Sequence, residues 1–212
     1  MREIQRRRNT GEYTIYPFLA IGVSGMTWIM YGALASDMLV LGVNTVAAAM
    51  GVYYTRVYLQ HGTGSLHDKI MVVLACLTPL AIAGSTVWSL PANASLASQA
   101  DTVGTYALLL TLVSFAAPLV TIRDVVARES AAAIPTPIAI SQTLQCIAWF
   151  IYGRQQEDVF IIIPNVLGAI LGAIQLSLIA RYGRDPPPVL PKHSRPFGSP
   201  GERRRQGFTP SF

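Results

Sequence analysis

The sequence predicts an all-α membrane protein with six transmembrane helices and an internal repeat. Hydrophobic residues make up 51% of the 212 and charged residues only 13%, against about 25% charged in soluble domains. The apolar residues gather into six runs, and the 16 Lys and Arg keep to the ends and outside of them. The third observation is the repeat. Trp28, Tyr31, Gly32, Asp37 and Asn44 return, 121 residues later, as Trp149, Tyr152, Gly153, Asp158 and Asn165. Five identities at one offset mark two copies in parallel orientation, because an odd helix fits between them.

The elements follow in order. Residues 1–15 form a polar, basic segment with Arg2, Arg6, Arg7 and Arg8, and no signal-peptide pattern follows it. The first run, residues 16–34, is long enough to cross a hydrocarbon core of ~30 Å. A break carrying Asp37 separates it from the second run, 39–59. A polar stretch, 60–69, leads to the third run, 70–90, and residues 91–101 read as a loop. The fourth run covers 103–122, a charged stretch fills 123–130, and the fifth and sixth runs cover 131–153 and 159–180. Residues 182–212, rich in Pro, Gly and Arg, bury too little apolar surface to fold and are expected to be a disordered tail.

Charge then sets orientation. With the N-terminus in the cytosol, every Lys and Arg except Arg154 faces the cytosol, a strong positive-inside pattern. The far-side loops carry Asp37, Asp101, Glu157 and Asp158 instead. The formal charge of +5 is therefore a topology signal and not a nucleic-acid one. Cys76 and Cys146 lie in apolar runs and read as small packing residues.

Pro118, Pro135 and Pro164 fall in apolar runs, as does Pro79, and Pro17 opens one. Each lacks a backbone donor, and in lipid the freed carbonyl needs a partner or water. Gly168 and Gly172, echoed by Ala47 and Gly51, are spaced for close helix packing within each repeat.

Asn44 and Asn165 lie some seven residues into their helices, about 10 Å below the surface at 1.5 Å per residue. Trp28 and Trp149 reach a comparable depth on the preceding helices. An indole face stacks on the apolar face of a sugar, and an amide both donates to and accepts from hydroxyls. Two copies facing each other would make a polar pocket at the midplane, although a lone Asn more simply bonds a neighbouring helix. The Tyr31 and Tyr152 hydroxyls, with Asp37 and Asp158, would meet across the far-side mouth as a gate, unless the two Asp residues only cap helices. The residues suggest no enzyme, metal or cofactor: His61, His67 and His193 lack ligand spacing, and no nucleophile or phosphate-loop motif occurs. The runs also lack a mid-helix acid for a proton relay, which favours an uncoupled facilitator.

The stretch APLVTIRDVVARES, then IP, AWFIYG and DVFIIIPNVLGAILGAIQL, resembles the second repeat of the SWEET family of sugar transporters. NTGEYTIYPF, WIMYGAL and DMLVLGVN resemble its first repeat more loosely. The resemblance implies three helices, a linker helix and three more. It places Trp149 and Asn165, with their counterparts Trp28 and Asn44, in the substrate pocket. It places Tyr31, Tyr152 and Asp158 at the gate, and Pro17, Pro118 and Pro135 at three of four hinges. The chain is then divided into an incomplete first repeat at 16–59, a linker helix with loops at 60–102, and a second repeat at 103–181. On this reading the sequence begins in the loop after the family's first helix, leaving six helices where the family has seven. A second copy is expected to cover the wall so exposed. Ser24 and Gln145 stand where many members carry Asn, and Trp28 where many plant members carry a smaller residue, which narrows the pocket. The expected function is passive, bidirectional transport of a small sugar, first a monosaccharide, by alternating access. Transport of another polar solute such as an amino acid, or a non-transporting membrane subunit, are the alternatives.

Overall fold

The structure is a computed structural model and describes residues 1–183 except 12, 63 and 64. The tail expected at 182–212 lies almost wholly outside these residues. Eight helices are described: α1 (Arg2–Arg7), α2 (Tyr16–Leu34), α3 (Met38–His61), α4 (Leu66–Ser89), α5 (Leu96–Ser114), α6 (Ala116–Arg128), α7 (Thr136–Gln156) and α8 (Val159–Tyr182). Helices α2, α3, α4, α8 and the near-continuous α5–α6 are long and apolar enough to cross a bilayer. Helix α7, the fifth of the expected runs, is 21 residues long but more polar, with Gln142, Gln145, Gln155 and Gln156 along it. Packing is by repeat: α2 lies on α3, and α7 on α8, while α2 also contacts α4 and α5, and α5 contacts α8.

The small-residue pattern explains the tight pairs. A Cβ on Gly51 would lie 2.5 Å from the backbone nitrogen of Gly22, and one on Gly172 would lie 2.1 Å from Thr143 Oγ1. Positions 22 and 143 are themselves 121 apart. Each contact is between the two helices of one repeat, as small residues in membrane helices allow.

Several boundaries differ from the hydropathy reading. Residues 96–101, expected in a loop, form the first turns of α5, because the Ser95 side chain caps the helix by accepting from the Ser98 N–H. Helix α5 thus starts earlier than the fourth apolar run at 103. The stretch 123–130 is not a separate charged segment: α6 runs on to Arg128 and stops at Glu129, at φ 51°. The fifth span starts at Thr136 and not at 131, since Pro135 and Pro137 fix its N-terminus. Residues 131–135 form a turn tied to the end of α8, with the Ala131 N–H donating to the Gly183 carbonyl at 3.0 Å.

The basic N-terminal segment also holds a helix. Arg6 and Arg7 both donate to the Glu3 carboxylate, which holds that carboxyl below its usual range. At the repeat offset, α1 coincides with the last turns of α6. Ile4 and Val125 are each 1% exposed, and Arg8 and Glu129 take left-handed φ of 52° and 51°. The end of α6 thus has a helical counterpart in α1.

The prolines are placed unevenly. Pro17 sits in the first turn of α2 and Pro135 at the N-cap of α7. Pro118 lies just beyond the break at Phe115 that divides α5 from α6. There the missing N–H leaves the Ser114 carbonyl without its usual helical donor. Only Pro79 and Pro164 are interior to described helices.

Candidate binding cavity and gate

Residues 36–40 and 157–161 take the same local structure. Ser36 and Glu157 adopt φ of 57° and 56°, turning the chain from one helix into the next. Asp37 then caps α3 by accepting from the N–H groups of Leu39 and Val40 at 3.0 and 2.9 Å. Asp158 caps α8 by accepting from Phe160 and Ile161 at 2.9 and 3.2 Å. A carboxylate at a helix N-terminus satisfies orphan donors and complements the helix dipole.

The same two carboxylates reach across the repeats. The Tyr31 hydroxyl donates to Asp158 Oδ2 at 2.6 Å, and the Tyr152 hydroxyl donates to both carboxylate oxygens of Asp37 at 2.9 Å. Each tyrosine thus binds the N-cap of the opposite repeat, and the two bonds are exchanged by the repeat's pseudo-symmetry. The helix caps and the cross-repeat bonds, set against each other in the sequence, are made by the same two carboxylates. Tyr31 is buried, edge-on to Phe160 with ring centroids 5.6 Å apart. A Cβ on Gly104 would come within 2.8 Å of both rings, so the bare backbone of α5 admits this packing. Tyr31 is buried with Val40, Val103 and Ile161 in one hydrophobic cluster, and Tyr152 packs against it at this end.

Beneath the seal lies a cavity of about 250 Å³ between the repeats. All four residues expected in the pocket, Trp28, Asn44, Trp149 and Asn165, line it. Each Trp packs edge-on against the gate Tyr one turn above, with centroids 5.5 and 5.6 Å apart. The Asn44 amide donates to the Val40 carbonyl, and the Asn165 amide to the Ile161 carbonyl, both at 2.8 Å. The bonds are within the helix, not between helices. They use one amide hydrogen and orient the group, leaving the side-chain oxygen and the second hydrogen for a ligand.

Other residues line the cavity as well. Thr111 accepts from Trp28 Nε1 at 3.4 Å and so fixes that indole against α5. Phe115, Gln142, Gln145, Cys146 and Ser24 complete much of the wall. The polar positions of α7 recur on one face at i, i+3 and i+7 from Gln142 through Gln145 to Trp149, a signal that was present in the sequence. Of the expected hinges, Pro118 and Pro135 line a separate cavity at the opposite, basic end. Pro17 lies at the start of α2, away from both cavities.

The two-repeat helical architecture agrees with the comparisons. A family model described as "Sugar efflux transporter for intercellular exchange" matches residues 1–62 and 101–186. This chain belongs to that family, the SWEET family. Curated relatives include the rice bidirectional sugar transporter SWEET12, 28% identical over 84% of this chain and 60% of its own length. The rat sugar transporter SWEET1 is 27% identical, over 86% and 81%. The Arabidopsis thaliana bidirectional sugar transporter SWEET16 is 30% identical, over 88% and 81%. The solved structure of a eukaryotic SWEET transporter matches with a TM-score of 0.76 at 25% identity, covering 87% of this chain and 86% of that one. The fold class is therefore that of an integral, multi-pass SWEET protein.

Proposed function

We propose that the chain carries a small sugar passively across a membrane by alternating access. The observation that carries this is the cavity itself: two indoles and two oriented amides, one of each from either repeat, beneath a gate closed by exchanged Tyr–Asp bonds. Its volume, about 250 Å³, falls below the roughly 300–1,000 Å³ of typical drug-sized sites, which suits a monosaccharide better than a disaccharide. The relatives whose names denote sugar transporters support the substrate class. In the topology that puts the N-terminus in the cytosol, the closed gate faces away from the cytosol and this state faces inward. Opening requires both tyrosines to leave their partner carboxylates while the prolines at the basic end let that end close. With no acid among the cavity's lining residues, transport is uncoupled uniport.

The test is uptake of labelled glucose in cells lacking sugar transporters, normalised to surface protein. Saturable uptake in both directions that ignores pH and sodium gradients supports the proposal. Accumulation against a gradient overturns uniport, and uptake of amino acids in place of sugars overturns the substrate class. Surface-expressed protein with no flux of any solute favours the non-transporting subunit.

A further inference from the structure

Building on the sugar-transport reading, we propose a second sugar-binding station on the second repeat, in the cavity between α6, α7 and α8 at the basic end. This cavity holds about 350 Å³ and is distinct from the central one, meeting it only at Phe115 and Gln142. Its wall has the chemistry of a carbohydrate site: the Phe115 ring and Leu171 supply an apolar plane, and Thr121, Gln142 and Gln175 supply donors and acceptors around it. Amide side chains in a membrane-spanning helix are costly unless paired or facing water, so two of them on one cavity point to a polar occupant.

The station belongs to one repeat. At the offset of 121, Gln142 and Gln175 correspond to Ile21 and Tyr54, so the first repeat offers no amide at either place. A sugar passing between the central cavity and the basic end thus exchanges hydrogen bonds along α7, with Gln142 shared by both stations. Pro118 and Pro135 lie in the same wall. A sugar held between them keeps α6 and α7 apart, and so delays closure of this end. High sugar on the basic side alone should slow turnover.

The test is equilibrium binding of labelled glucose to the purified full-length protein, comparing the parent with Asn165→Ala, Gln175→Leu and Thr121→Val. Two components are expected in the parent. Asn165→Ala should remove the tighter one. Gln175→Leu and Thr121→Val should each weaken the second by about five- to tenfold, the loss of one hydrogen bond. They should leave the first intact, which also reports that these variants are folded. A single component in the parent, unmoved by Gln175→Leu and Thr121→Val, overturns the second station while leaving transport standing. Absence of any saturable glucose binding in the parent overturns the sugar reading together with it.

Discussion

The two repeats are near copies at the gate and unlike at the basic end. At the gate the polar features recur at the offset of 121. Capping aspartates, left-handed residues, tyrosines and asparagine-to-carbonyl bonds all match, the last at 2.8 Å in both copies. At the basic end α6, α7 and α8 line a cavity with glutamines, where the first repeat has Ile21 and Tyr54. A seal between two halves needs complementary partners, and exchanging one Tyr–Asp pair by pseudo-symmetry supplies them twice. A path for a solute has no such need, so it can follow one half.

The helix contacts offer the hardest test of this likeness. Gly51→Ala drives a methyl onto the backbone of Gly22, which cannot rotate aside. Gly172→Ala meets mainly the Thr143 side chain, which can. Overpacking costs about 1–3 kcal/mol, and more where backbone must shift. Gly51→Ala is expected to lower the thermal midpoint of purified protein far more than Gly172→Ala. Equal losses would mean that the repeats pack alike after all.

The central cavity predicts the reverse, equality. Asn44→Ala and Asn165→Ala each remove an oriented amide from the same cavity. Each loss should cost roughly 1–3 kcal/mol of sugar interaction, or about five- to more than a hundredfold in transport at constant surface protein. Transport unchanged after normalisation, with reduced expression, would return both residues to a purely structural role.

At the gate the symmetry should be imperfect in a defined direction. Tyr31→Phe and Tyr152→Phe each delete one bond across the seal. Tyr31 is buried among Trp28 and Phe160, so Asp158 is left with the less hydrated vacancy. A hydrogen bond to a charged partner contributes about 1.5–3 kcal/mol. Tyr31→Phe is therefore expected to open the gate more than Tyr152→Phe, read as faster labelling of a cysteine placed at Thr111. Greater labelling in Tyr152→Phe would reverse the assignment.

Much of this was legible in the sequence because the repeat doubles each signal. One Trp or Asn in a membrane helix has several uses, but a pair at one offset, each beside a Tyr and an Asp, narrows them. The placing of Trp28, Asn44, Trp149 and Asn165 around one cavity, and the crossed Tyr–Asp bonds above it, answer to that doubling. The rest depended on rotation and breaks that hydropathy does not encode. Residues 96–101 are too polar to join an apolar run, yet Ser95 starts a helix there. The charged stretch after Ile122 hid the end of α6 and, with it, the matching identity of α1. Gln142 and Gln175 come together only because α7 and α8 face each other across the second repeat, and no local pattern links residues on different helices.

The smallest expected effect lies at an asymmetry between the two indoles of the central cavity. Trp28 Nε1 donates to Thr111 Oγ1, which in turn donates to the Ala107 carbonyl, so one indole is fastened to α5 through a two-bond chain. Among the described residues Trp149 makes no such bond, and its ring contact is with Tyr152. Thr111→Val keeps the shape of the side chain and removes only the acceptor. At 3.4 Å the bond is long, which puts its contribution near the low end of about 0.5–1.5 kcal/mol. The indole then samples more orientations before a sugar orders it, and the ordering cost appears in affinity. KM for glucose should rise about two- to threefold with the maximal rate unchanged. Trp28→Ala should act differently, because it removes the stacking face and enlarges the cavity: monosaccharide transport falls and a disaccharide is admitted. If Thr111→Val instead admits the disaccharide too, Thr111 sets the width of the cavity and not the posture of Trp28.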